Sequence, residues 1–251
     1  MPVWLEAGLW GLLAGGALVL GATIAWFVRV PPRIVAAVMA YGSGVLISAL
    51  AFELVSEANE QGGLAATSVG FSAGAVAYVV ANVVLARAGA RHRKRSGDQQ
   101  PGEAAVGGSG AAIAVGALLD GVPESVVLGL SLLGGGGVGT AVLVAVFISN
   151  LPEGLSSASG MRNAGRSARY VFGVWGGIAV ASGLAALVGA LVLEGASGTT
   201  VAVINAVAAG AILAMIADTM IPEAFERAHL LTGLITAAGF LTAFAVEQLG
   251  G

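Results

Sequence analysis

Asp120-Gly121-Val122-Pro123-Glu124 and Ser149-Asn150-Leu151-Pro152-Glu153 each set a carboxylate one residue after a proline, inside a long apolar run. A proline within a helix removes one backbone donor and frees the carbonyl four residues back. These are the carbonyls of Leu119 and Ile148, so a kink is expected beside each glutamate. At a spacing of i, i+4, Asp120 shares a helix face with Glu124, and Ser149 shares one with Glu153. The pattern predicts two helices presenting oxygen atoms to each other at a depth where water is scarce.

The composition supplies the solvent. Of the 251 residues, 57% are hydrophobic and 10% charged, with a mean hydropathy of +0.92, whereas soluble domains carry about 25% charged residues. The expectation is an all-α integral membrane protein, multi-pass in the plasma membrane, with residues 1–251 forming one transmembrane domain. There is no cysteine, which excludes disulfides, thiolate metal sites and cysteine nucleophiles. Both histidines, His92 and His229, fall outside the apolar runs, so a buried site has to be built from carboxylates, amides, hydroxyls and backbone carbonyls. The first apolar stretch carries Glu6 where a signal peptide would have a basic segment. It also runs past signal length, so it reads as a retained span.

Runs of bilayer-crossing length, about 20 residues, extend over Leu5 to Val28, Ile34 to Leu54, Leu64 to Leu85, Ala111 to Leu133, Thr140 to Met161, Val171 to Leu193, Val201 to Ile221 and Leu230 to Glu247. They predict eight transmembrane helices, since continuous runs fit helices and not barrel strands. The long connection, at about 87–109, contains Arg91-His92-Arg93-Lys94-Arg95 and then turns polar and glycine-rich, as a flexible cytoplasmic loop would. In a chain of this hydropathy the basic run reads as a topogenic signal, and no nucleic-acid partner is expected. With that loop inside, alternation puts all eleven Lys and Arg residues on the cytoplasmic side and both termini outside, beside Glu57, Glu60 and Glu194.

The chain also resembles itself. The second run, from Gly44 to Glu60, aligns without gaps to the seventh, from Gly210 to Glu226, and the fourth aligns to the fifth through the Pro-Glu pairs. Within each pair the two helices cross in opposite senses, as in an inverted repeat of the kind common in secondary transporters.

An ionisable group at the bilayer centre costs about 2.5 to 3.5 kcal/mol on insertion scales and marks a functional site by default. Asp120, Glu124 and Glu153 lie there with no basic residue in any run. Together with Ser149 and Asn150 they suit a divalent metal ion bound through oxygen, and the absence of His and Cys favours harder ions such as Mn2+. Glu53 and Glu57 at the outer end of the second run, and Asp218 and Glu223 at the inner end of the seventh, are candidate entrance and exit groups. A proton-coupled carrier of a non-metal solute would use a similar cluster. An intramembrane enzyme is the weaker alternative, because no His-Glu-x-x-His helix and no histidine base falls in a run.

These residues make the chain similar to the Zrt/Irt-like (ZIP) family of divalent metal transporters. The family's usual His-Asn-x-Pro-Glu-Gly corresponds here to Asp120-Gly121-Val122-Pro123-Glu124-Ser125 and Ser149-Asn150-Leu151-Pro152-Glu153-Gly154. The resemblance implies import of Zn2+, Fe2+ or Mn2+ by alternating access, with the metal as cargo, no organic cofactor and a homodimer in the bilayer. It implies ligands at Asp120, Glu124, Ser149, Asn150 and Glu153. Because Gly121 offers no side chain and the sixth run has no acid, it also implies one metal per protomer.

The one-sided distribution of basic residues yields the first prediction. In a chain without background thiols, Pro2→Cys should react with an impermeant reagent on intact cells and Arg93→Cys should not. The opposite labelling would overturn the topology.

Overall fold

The computed structural model describes residues 1–87, 109–132 and 140–250. Among them the chain is helical without strands: α1 Val3–Phe27, α2 Pro32–Ala49, a π-helical segment π1 Leu50–Val55, α3 Ser56–Leu85, α4 Ser109–Ser131, α5 Thr140–Asn163, α6 Ala168–Leu193, α7 Gly198–Met215, a second π segment π2 Ile216–Met220, α8 Ile221–Ala228 and α9 Leu231–Gly250. Residues 88–108 of the expected cytoplasmic loop, including His92, and the linker from Leu133 to residue 139 lie outside the described residues.

Local chemistry sets the helix starts. Pro32 opens α2 at a position where a missing donor costs nothing. Ser167 and Ser197 cap α6 and α7, their hydroxyls accepting from the amides of Tyr170 at 3.3 Å and Thr200 at 3.2 Å.

Six stretches among the described residues are long and apolar enough to cross a bilayer, as expected of a multi-pass membrane protein. One of them, Pro32–Leu85, joins the expected second and third spans into 54 residues. The sequence reading ended the second helix near Leu54, whereas the structure carries helix through π1 and on to Gly62. Gly63 then breaks it, with φ 74° and ψ 168°, a backbone conformation open to glycine because it has no Cβ. The seventh run likewise extends beyond Ile221, through π2, to Ala228.

Packing proceeds from helix to helix: α3 on α7, α7 on α4, α4 on α6, α6 on α1, α1 on α5, α5 on α2 and α2 on α9. One buried apolar cluster centres on Met39, Leu128 and Met215, and another on Leu18, Met161 and Trp175. The outer surface keeps large apolar side chains such as Leu20, Val80, Val192 and Leu241 exposed, which suits lipid as the solvent.

Several of these contacts are made backbone to backbone, among them α2 on α9 and α7 on α3. A Cβ at Gly44 on α2 would collide with the Thr236 carbonyl of α9, and one at Gly239 with the Tyr41 carbonyl. On the other side, a Cβ at Gly210 on α7 would strike the Phe71 carbonyl of α3, and one at Gly74 the Val207 carbonyl. In lipid, where apolar burial gives little drive, such close approach supplies the dispersion contact that holds helices together.

Gly44→Ala and Gly210→Ala should therefore each destabilise the fold by about 1–3 kcal/mol, the usual cost of overpacking. Gly16→Ala and Gly173→Ala, where an added Cβ meets no heavy atom, should not. Thermal melting in detergent would show it, and a wild-type midpoint for Gly44→Ala would refute the close approach.

Candidate functional site

All five candidate metal ligands are buried. Asp120 and Glu124 on α4 are each 1% exposed and Glu153 on α5 is 3% exposed, with Ser149 and Asn150 buried beside it. Pro123 and Pro152 lie inside α4 and α5. The Ile148 carbonyl, which Pro152 leaves without its helical donor, faces α2 at Gly42: a Cβ there would stand 3.5 Å from it.

Each polar group is tied to a different neighbour. The Tyr78 hydroxyl of α3 donates to Asp120 Oδ1 at 2.7 Å. Asn150 Nδ2 donates to the Ala14 carbonyl of α1 at 3.0 Å, which makes Oδ1 the atom Asn150 has to offer a cation. Ser149 turns back to the Val146 carbonyl of its own helix at 2.9 Å, and Ser125 to Gly121 at 2.7 Å. A cavity of about 10 Å³ reaches Glu124 between Leu46, Val146 and Ile212, room for roughly one water.

The three carboxylates do not converge into one cage. Among the described residues no three His, Cys, Asp or Glu side chains form a group able to hold a metal. The cause is the packing: α4 leans on α6 and α7, α5 on α1 and α2, and the two touch each other only slightly.

The four outlying acids divide. Glu53 lines a small cavity with Ser48, Thr242 and Glu247, between π1, α5 and α9, and accepts the Val142 amide. Glu57 is half-buried and takes a hydrogen bond from Gln61 at 2.8 Å. Asp218 is exposed, but Glu223 is buried and accepts from Ser156 of α5 at 3.1 Å, one turn beyond Glu153.

Sequence reasoning missed Tyr78, Ser156, Ser157 and Glu247. The two serines had a signal, since they continue the Ser149, Asn150, Glu153 face of α5 at helical spacing. Tyr78 had none, being one hydroxyl in an apolar run. On the basic side, Arg162 donates through Nη1 to the carbonyls of Ala25 and Trp26 at 3.0 and 2.9 Å and so closes the end of α1.

Compared with known proteins, the chain matches no family model and no curated protein.

Proposed function

We propose that the chain transports divalent metal ions across the plasma membrane, by alternating access, in the manner of the ZIP family it resembles. The observation that carries this reading is the burial of Asp120, Glu124 and Glu153, with Ser149 and Asn150, on two proline-bearing helices whose one basic residue, Arg162, lies in the last turn of α5 and is turned to the end of α1. Such groups are neutralised by protons or by a metal ion, and an all-oxygen set suits a divalent one. Loading would draw the faces of α4 and α5 together around the ion, with Glu223 and Ser156 beyond Glu153 on the way out.

An inverted repeat supports a carrier. The packing order of the helices reads the same from either end when α1 is exchanged with α6, α2 with α7, α3 with α9 and α4 with α5. The alignment that pairs Gly44 with Gly210 also pairs Leu50, where π1 begins, with Ile216, where π2 begins. Both glycines then meet a carbonyl of the exchanged partner helix. The eight-span count rests on the Gly63 break, because 54 unbroken helical residues would measure about 81 Å against a hydrocarbon core of about 30 Å. The helix α4 supplies the remaining span. The direction proposed, toward the cytoplasm, is the one the resemblance to the ZIP family implies.

Metal uptake into proteoliposomes tests the reading, with Mn2+, Fe2+, Zn2+ and Cd2+ in competition. Glu124→Gln and Glu153→Gln should each reduce flux per folded transporter at least about tenfold. The double variant should be scarcely worse than either, because groups acting as a unit are not additive. Asp218→Asn, at an exposed position, should do less. Near-wild-type flux in either glutamine variant would remove that glutamate from the site. Solute uptake driven by a pH gradient, without metal flux, would favour the proton-coupled carrier.

A further inference from the structure

We infer that Tyr78 is a positioning residue that sets the size of cation the site accepts, by holding Asp120 through its Oδ1 atom. The inference rests on the metal-transport reading and names a residue which that reading does not use. Tyr78 is 2% exposed and its hydroxyl lies 2.7 Å from Asp120 Oδ1. A hydrogen bond to a carboxylate is of the short, strong kind, and here both partners are out of water. It fixes the carboxylate's rotation and competes with a cation for Oδ1, which disfavours coordination through both oxygens at once. Bidentate carboxylates belong to large ions with adaptable shells, so a carboxylate restrained in this way favours the smaller ion.

The arrangement is not a by-product of packing, because a phenylalanine would fill nearly the same volume. It is also confined to one half of the molecule. Pairing Gly74 with Gly239, which meet the Val207 and Tyr41 carbonyls alike, sets Ala243 of α9 at the place of Tyr78, while Ser149 of α5 stands at the place of Asp120 and gives its hydroxyl to Val146. The clamp also crosses between two packing groups, since α3 is seated on α7 while α4 is seated mainly on α6. Asp120 is therefore oriented from a helix that carries neither Pro-Glu motif.

Zn2+ and Cd2+ test this directly, being ions of one charge and one chemical group that differ in size. In proteoliposomes Tyr78→Phe should raise the Cd2+ to Zn2+ uptake ratio about tenfold, equivalent to about 1.4 kcal/mol of lost discrimination. In an Asp120→Asn background the same substitution should leave the ratio unchanged. A proportional fall in both ions, or no change in either, would make Tyr78 merely structural and overturn the inference while leaving the transport reading intact. Wild-type protein that moves neither ion, nor Mn2+ or Fe2+, would overturn both.

A measurement on wild-type protein covers the case in which Tyr78→Phe does not fold. Cd2+ titration should perturb the near-ultraviolet absorbance of one of the three tyrosines, and the signal should persist in Tyr41→Phe and in Tyr170→Phe. An unperturbed spectrum, or a signal lost in either of those variants, would refute the role of Tyr78.

Discussion

Three carboxyl groups, those of Asp120, Glu124 and Glu153, are buried on helices that carry no basic residue within two turns of them, and the surrounding structure answers to that constraint. Taking a charge out of water costs several kcal/mol unless hydrogen bonds and an opposite charge offset it. The helices around the three groups supply what neutral side chains can: the Tyr78 hydroxyl on Asp120, and the Ser156 hydroxyl on Glu223 one turn beyond Glu153. Arg162, at the end of α5, is spent on the last carbonyls of α1.

Glycine makes that interior possible. Where α2 meets α9 and α7 meets α3, each pair of helices approaches until only a hydrogen atom fits between one backbone and the next carbonyl. Close seams of this kind hold without side-chain interdigitation. The residues beside them, among them Ser43 and Ser48, are left small and polar instead of bulky.

The helical class, most of the apolar runs and the burial of all five central residues were legible in the sequence, because hydropathy and i, i+4 spacing report what faces a core. The choice between Asp218 and Glu223 was not. Five residues apart on an α-helix lie about 140° apart in azimuth, so both cannot face inward. Periodicity has no means of saying which one does when a π segment intervenes. Asp218, the more deeply placed along the run, turns out to be exposed, and Glu223 is buried against Ser156. The continuation of helix past Leu54 was hidden for a related reason. Glu57, Asn59, Glu60 and Gln61 read as a polar connection, yet they are good enough helix residues to extend a rod whose apolar part has already fixed its direction. Tyr78 was invisible because its partner lies 42 residues away, and a pairing across that separation leaves no local trace.

The two π segments carry a consequence for helical phase. Each turn of π-helix accommodates about one residue more than a turn of α-helix, so everything after it is rotated by about 100° relative to an unbroken α-helix. The rod that begins at Pro32 therefore has two faces out of register: before Leu50 its inward stripe addresses α9 and α5, and between Val55 and the break at Gly63 a different stripe, with Ala58 and Gly62, addresses α7. Removing a single residue from π1 would leave the length and hydropathy of the rod almost unchanged, yet it would turn Glu53 and its neighbours toward other partners. Along this rod the sensitive quantity is residue parity, and sequence similarity that ignores a one-residue gap here would compare faces that never meet the same helix.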